Sequence, residues 1–275
     1  MPRSSVQVPP LVSIIIPALN EARRLPPSLD KIVSFLRAEK LPAEIIVVDN
    51  GSTDDTGNIV RKFAEANLDI PLTVIAEPHP GKGAAVRAGM RQGVGEFLFL
   101  CDADLSMPIE ELRRFISAFE SGVDLVIGCR EGVGARRVGE PLLRHFMGRV
   151  FNQLVRRLTC IEMPDTQCGF KAFRRAAARD LFNAQTISGW GFDVEILSLA
   201  KYRGYSLSTL PIAWNYDADS RVRPIRDALA MLREVWLIRS RLRRGLYDRQ
   251  SARRVVRSKS AVVAAFQPQS KPRVA

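Results

Sequence analysis

The sequence predicts an α/β fold: an open, mostly parallel, twisted sheet flanked by helices, with an amphipathic helix at the C-terminal end. Three observations carry that expectation. Short β-branched or aromatic runs, too brief for helices, alternate with longer segments of helical apolar spacing. Within each short run the apolar residues are consecutive, as strands buried on both faces require. Carboxylates stand where several of these runs end, which is the side of an open parallel sheet that binds ligands.

The first strand covers residues 11–16 and is closed by Pro17, with Ala18-Leu19-Asn20-Glu21 in the loop after it. Asn20 and Glu21 either cap the next helix or face a ligand at the strand end. Helical spacing through Leu29, Ile32, Val33 and Leu36 predicts a helix over 25–39, ahead of the interrupting Pro42. Residues 44–49 form the second strand, ending on Asp49. An aspartate there accepts hydrogen bonds from ribose hydroxyls or a base N–H, or it braces the turn that begins at Asn50. A helix through Lys62 and a third strand over 72–76 follow. Gly81-Lys82-Gly83 then opens another helix, whose N-terminal N–H groups and adjacent lysine make an anion cradle without the Walker A spacing.

The stretch 96–106 is central. Phe97-Leu98-Phe99-Leu100 reads as a buried strand, and Asp102 and Asp104 follow it with one residue between them. Hard oxygen ligands at this spacing hold a Mg²⁺ or Mn²⁺ that also takes oxygens from a substrate diphosphate. The competing role is a loop in which Asp104 caps the helix expected over 108–120. Another strand, 123–128, leads to Cys129-Arg130. Residues 131–140 are rich in glycine and arginine without periodicity, which predicts a mobile loop over the site.

Residues 142–158 have amphipathic helical spacing and carry Arg144, Arg149, Arg156 and Arg157. Asp165-Thr166-Gln167 then lies in a compact polar loop; such a cluster is unusual for simple packing, although an Asx turn accounts for it. Asp193 and Glu195 open a helix, as sugar-hydroxyl ligands or as helix-start carboxylates. A strand over 207–213 precedes a basic loop containing Arg221. Over 224–247, Leu229, Leu232, Val235, Trp236 and Ile238 repeat at helical spacing among arginines. This helix either lies in a membrane interface or packs on the domain with a solvated basic face.

The 275-residue chain is 46% hydrophobic and 25% charged, which suits one large folded core. A net charge of +12 and a pI near 10.1 ask for an anionic partner: nucleic acid, anionic lipid or a phosphorylated substrate. The first hundred residues are balanced, and the excess lies from Arg130 onward. Sparse aromatics and the lack of a recognised motif argue against nucleic acid. No apolar run approaches the roughly 18 residues of a membrane span, and no signal-peptide pattern opens the chain. The expected location is cytoplasmic, peripheral on a membrane face. Cys101, Cys129, Cys160 and Cys168 lack metal spacing and read as reduced, mostly buried side chains. His79 and His145 are the only histidines, no Gly-x-Ser-x-Gly elbow accompanies them, and neither is a candidate base. The expected organisation is a flexible tail over 1–10, the α/β domain over 11–223, the basic helix over 224–247 and a disordered basic tail over 248–275.

Taken together, Ile14-Ile15-Ile16-Pro17-Ala18-Leu19-Asn20-Glu21, the segment from Val47 to Thr56 and Asp102-Ala103-Asp104 resemble, in order and spacing, family 2 glycosyltransferases with the Rossmann-like GT-A fold. Gly81-Lys82-Gly83, Asp165-Thr166-Gln167-Cys168-Gly169-Phe170-Lys171 and Gly191-Phe192-Asp193-Val194-Glu195 narrow the resemblance to polyprenyl-phosphate sugar synthases. Dolichyl-phosphate β-glucosyltransferases are most similar and dolichyl-phosphate mannose synthases next. The resemblance implies metal-dependent, inverting transfer of a hexose from a nucleotide sugar, UDP-glucose before GDP-mannose, to a polyprenyl or dolichyl phosphate. It implies that Pro17, Leu19, Glu21 and Asp49 line the nucleotide and that Asp102 and Asp104 flank the Mg²⁺ or Mn²⁺. Arg130, Arg144 and Arg221 would hold the acceptor phosphate or donor diphosphate. Lys82, Gln167 and Asp193 are the remaining substrate-binding candidates. The chain departs from the pattern in three ways. Asn50 replaces a second Asp of many relatives, Ser106 replaces a metal-binding Gln of some mannose synthases, and the transmembrane helices of many relatives are absent. A sugar nucleotidyltransferase, the other enzyme considered, would be expected to carry a glycine-rich loop where this chain has Pro-Ala-Leu-Asn-Glu.

Overall fold

The computed structural model describes residues 9–159, 161, 163–216 and 224–248, without the side chains of 143, 144 and 224–227. Expectations placed on Cys160, on Arg221, on the Arg144 side chain and on most of both tails lie outside the described residues.

Four parallel strands form one half of a seven-stranded sheet: β1 (Val12–Ala18), β2 (Ala43–Asp49), β3 (Leu72–Ala76) and β4 (Phe97–Leu100). β5 (Leu125–Cys129) and β8 (Leu207–Pro211) are parallel to each other in the other half. Between the halves runs β7 (Lys171–Arg174), antiparallel to both β4 and β5, giving the order β3-β2-β1-β4-β7-β5-β8.

Successive residues of β1 bury on opposite faces, which is why the run is apolar at every position. Ile14 and Ile16, with Phe97 and Phe99 of β4, pack in a core with α1 (Leu25–Glu39), α2 (Thr56–Ala66) and α4 (Leu112–Ala118). Ile15, Leu98 and Leu100 point the other way, toward α3 (Lys82–Gln92), α6 (Arg175–Ala184) and α7 (Phe192–Tyr202). Each such side chain contributes roughly 1.5–3 kcal/mol by burial. The helix expected over 108–120 is α4 with a single 3₁₀ turn at each end.

The register aligns the site. Ala18 is opposite Asp49 and Asp49 opposite Ala76, so β1, β2 and β3 end level. β4 ends at Leu100, opposite Ile15, three residues short of the end of β1. Residues 101–106 therefore cross the open mouth of the sheet. β1 is also the switch point, with β2 on one side and β4 on the other, where a parallel sheet opens a ligand crevice.

Three local expectations are corrected. The polar loop that ends near Lys171 leads into β7 in the middle of the sheet; the four-residue run is too short to declare a period. The strand expected over 207–213 is two strands, β8 and β9 (Ala213–Asn215), and β9 leaves the main sheet. It pairs with β6 (Arg136–Val138) in the segment expected to be a mobile loop. That pairing comes from far along the chain, so residues 131–140 show no local signal of it.

α5 (Leu142–Thr159) packs along α8 (Pro224–Arg243). Val235 and Ile238 of α8 are fully buried, whereas Trp236 is 65% exposed, so the helix packs on the domain and presents a second apolar face outward. Among the described residues no helix is long and apolar enough to cross a membrane. Cys101, Cys129 and Cys168 are free and buried, as expected. Burial also pushes the Cys168 thiol up to about 12.

Candidate active site

The chain crossing the sheet mouth places Asp102 and Asp104 half-buried on either side of the buried Ala103. Its turn is strained at Leu105, a non-glycine residue with φ 47°, whose N–H donates to the Asp102 carbonyl. Asp104 does not cap a helix. Its Oδ1 accepts the Ser106 N–H at 3.0 Å and hydroxyl at 2.9 Å, which fixes the carboxylate's rotamer. Ser106, at one of the departures from the family pattern, thus orients a metal-ligand candidate. Burial raises the Asp104 pKa, and the neighbouring Asp102 charge adds to it, outweighing the Ser106 hydrogen bonds.

Asp102 has the opposite balance. Burial pushes its carboxyl up, but Lys82, Lys171 and Arg130 together hold it below the usual range. The Lys82 ammonium lies 2.6 Å from Asp102 Oδ1. The Cys168-Gly169 loop packs directly on this carboxylate, since a Cβ at Gly169 would collide with it.

Lys82 is delivered by the turn that opens α3. Gly81 has φ 120°, and its N–H donates to Asn50 Oδ1 at 2.9 Å. Asn50 Nδ2 donates in turn to the Glu77 and His79 carbonyls. An Asp at position 50 has no such donors, which explains this departure: the amide laces the end of β2 to the lysine-bearing turn. Across the turn, Trp190 places its ring 5.4 Å from Lys82 Nζ.

On the nucleotide side, Pro17 is half-buried and Leu19 is 42% exposed at the end of β1. Glu21 is buried and does not cap α1; its two oxygens take the Nε and Nη2 of Arg24, each at 2.7 Å. Asn20 accepts the Thr53 N–H, joining the loops after β1 and β2. Asp49 Oδ1 accepts the Ser52 N–H at 2.9 Å. Pro17 and Asp49 lie on paired strands whose ends are level, and Asp102 and Asp104 follow the end of β4, which pairs with β1 on its other side.

Arg130 makes a two-pronged pair with Asp165, at 2.7 and 3.0 Å, and lies 5.3 Å from the Trp214 ring centre. That guanidinium lies at the edge of the site with its fork already engaged. The pair holds the Asp165 carboxyl well below the usual carboxylate range against the effect of burial. Arg137 lies over the same tryptophan and reaches Glu131 and Glu140, pinning the segment expected to be mobile.

Gln167 turns away from the carboxylates, its amide 2.5 Å from Met231 Sδ on α8. Asp193 is buried and accepts the Lys171 ammonium at 2.6 Å, with burial prevailing to raise its pKa. Glu195 is fully buried, taking the Thr186 and Ile187 N–H groups and the Tyr247 hydroxyl, so it braces the fold. Sequence reasoning assigned no role to Lys171, Arg24, Trp190 or Asp165. Lys171, Trp190 and Asp165 have partners distant in the chain, whereas Arg24 pairs with Glu21 three residues before it but lies outside the motifs.

Two hard carboxylates one residue apart, Asp102 and Asp104, fit a Mg²⁺ or Mn²⁺. Among the described residues no cluster of three or more His, Cys, Asp or Glu could hold a metal. Such a cation would thus draw its remaining ligands from substrate phosphates and water.

The sequence pattern of glycosyl transferase family 2 matches residues 13–182. The chain is 37% identical over 223 residues to a dolichyl-phosphate beta-glucosyltransferase of Trichomonas vaginalis, covering 77% of this chain and 66% of that protein. It is 30% identical to the dolichyl-phosphate beta-glucosyltransferase of Homo sapiens, over 89% of this chain and 79% of that one. Glucosyl-3-phosphoglycerate synthase from Mycobacterium tuberculosis, solved with Mn²⁺ and UDP-glucose, superposes with a TM-score of 0.57 at 21% identity, covering 83% of this chain and 77% of that one. Mannosyl-3-phosphoglycerate synthase from Rubrobacter xylanophilus gives 0.62 at 19% identity, covering 88% and 76%. The sheet order, the strand-end carboxylates and this agreement have one reading: the chain belongs to glycosyl transferase family 2 and is a glycosyltransferase with the GT-A fold.

Proposed function

We propose that this protein transfers glucose from UDP-glucose to dolichyl or another polyprenyl phosphate, with inversion, on the cytoplasmic face of a membrane. The observation that carries the reading is the placement of two half-buried carboxylates, Asp102 and Asp104, just past the end of β4 at the mouth of the sheet, on the side where β1 and β2 end. The relatives named for glucosyl transfer to dolichyl phosphate and the neighbour solved with Mn²⁺ and UDP-glucose support it.

A divalent cation held by Asp102 and Asp104 would supply Lewis acidity to the leaving diphosphate. The chain's residues do the rest. Pro17, Leu19, Glu21 and Asp49 bind the nucleotide, and Lys82 meets the charge that grows on the diphosphate. An acceptor phosphate oxygen attacks the anomeric carbon as the bond to the diphosphate breaks, and the electron pair leaves with UDP. A phosphate monoester with a second pKa of about 6 is already largely deprotonated at neutral pH, so the site needs no histidine base. Single displacement inverts the sugar to a β-linked product.

The α5 and α8 surfaces support the lipid side of this reading. Phe146, Val150 and Leu154 on one helix and Leu229 and Trp236 on the other are exposed. A groove of about 590 Å³ between them is lined by Leu154, Leu158, Leu232, Trp236, Arg239 and Arg243. Apolar side chains flanked by arginines suit an interface of acyl chains and anionic headgroups.

The test is incubation of the full chain with a short polyprenyl phosphate, Mn²⁺ or Mg²⁺, and UDP-glucose, UDP-galactose or GDP-mannose separately. Glycolipid from UDP-glucose alone is expected. Product from GDP-mannose alone overturns the donor assignment, and no product from any donor overturns the reading.

A further inference from the structure

Lys82 stands where it affects the metal site before any substrate arrives. Its ammonium is 2.6 Å from one oxygen of Asp102, with both side chains largely buried. The backbone beneath it has little freedom. The Gly81 N–H is held by Asn50, and a Cβ at Gly81 or Gly83 would collide with the loop at 187–189. The same ammonium lies over the Trp190 ring, 5.4 Å from its centre, so one wall of its surroundings is an aromatic face that tolerates a cation.

We propose that Lys82 is a resident counter-cation of the metal site, occupying Asp102 in the metal-free protein and leaving it when a divalent cation binds. This rests on the reading of Asp102 and Asp104 as metal ligands. An ammonium 2.6 Å from Asp102 Oδ1 competes with a dication for that oxygen, and at this separation like charges in a partly buried site repel strongly. Lys82 therefore weakens metal binding to the nucleotide-free protein. A nucleoside diphosphate removes the penalty by giving the displaced ammonium an anionic partner. Metal and nucleotide binding are coupled through this one side chain, each tightening the other. A lysine that only bound diphosphate would leave metal affinity without nucleotide unchanged.

The test is Mn²⁺ titration of the full chain followed by electron paramagnetic resonance, without and with UDP, for wild type and Lys82→Met. The variant is expected to bind Mn²⁺ at least threefold more tightly without UDP, and to lose most of the tightening that UDP gives the wild type. Equal or weaker binding by a folded variant overturns the proposal, as does absence of Mn²⁺ binding in both proteins. A measurement on the wild type alone guards against misfolding: acetylation of Lys82, followed by mass spectrometry, rises when Mn²⁺ is added without nucleotide. Unchanged or reduced labelling overturns the proposal. Mn²⁺ results as expected, in a protein that transfers no sugar, would overturn the proposed reaction and leave this inference standing.

Discussion

Glu234 of α8 accepts the backbone N–H of Gly191 at 2.7 Å, and its side chain fills the space that a Cβ at Gly189 or Gly191 would need. The helix with the exposed apolar face thereby grips the loop that carries Trp190 over Lys82. Burial raises the Glu234 pKa, the Gly191 N–H opposes this, and the Glu195 charge adds to it. Glu234→Gln keeps an acceptor for the N–H and is expected to retain donor affinity. Glu234→Ala is expected to raise the donor KM about tenfold to a hundredfold, since a lost hydrogen bond to a charged group is worth about 1.5–3 kcal/mol and about 1.4 kcal/mol is a factor of ten. Steady-state kinetics of the two variants check this; equal losses in both would point to the charge rather than the acceptor.

Neutralising Asp165 is expected to lower stability substantially. Its pair with Arg130 leaves the two side chains 5% and 19% exposed, and breaking a buried pair costs about 3–5 kcal/mol. Calorimetric unfolding of Asp165→Asn should show a loss of this order. The sign with pH follows from the depressed pKa. The contribution is complete above the unfolded carboxylate value of about 3.9 and is lost as pH falls below it. The stability gap between wild type and variant should therefore narrow in acid.

Asp104→Ala is expected to reduce sugar transfer at least about a hundredfold, as loss of electrostatic stabilisation at the reacting centre does. The fold should not suffer. A carboxyl whose folded pKa lies above its unfolded one costs stability once ionised, and Asp104 is such a group. Thermal unfolding at neutral pH should give an unchanged or raised midpoint, while the transfer assay falls to background.

Phe146→Glu and Trp236→Glu are expected to weaken sedimentation with vesicles containing anionic lipid, because each places a charge on the exposed apolar face of α5 or α8. Raising salt should weaken the wild type as well, by screening the arginine contacts. Unchanged partitioning of both variants would remove these helices from the lipid interface.

The parallel half was legible because β-branched and aromatic runs buried on both faces announce themselves locally. α1 has the bounds its spacing predicts, and Asp49, Asp102 and Asp104 lie at strand ends as read. What escaped depends on distance along the chain. Arg130 and Asp165 are 35 residues apart, Glu234 and Gly191 are 43 apart, and neither pair leaves a periodic trace. β7 was lost for a related reason, since Lys171-Ala172-Phe173-Arg174 is a strand by virtue of its neighbours. The order in residues 131–140 comes from β9 and from Arg137, a basic side chain that composition alone reads as solvated.

β4 and β5 never touch as paired strands; the four residues of β7 are the seam between the two halves of the sheet. The four strands on the β3 side of that seam come from the first hundred residues and pair in parallel with one another. The seam must wait for residue 174. Because contacts between distant parts of a chain form slowly, the mouth that receives Asp102 is finished late, and a chain stalled before β7 would expose the open edge of β4 to other strands.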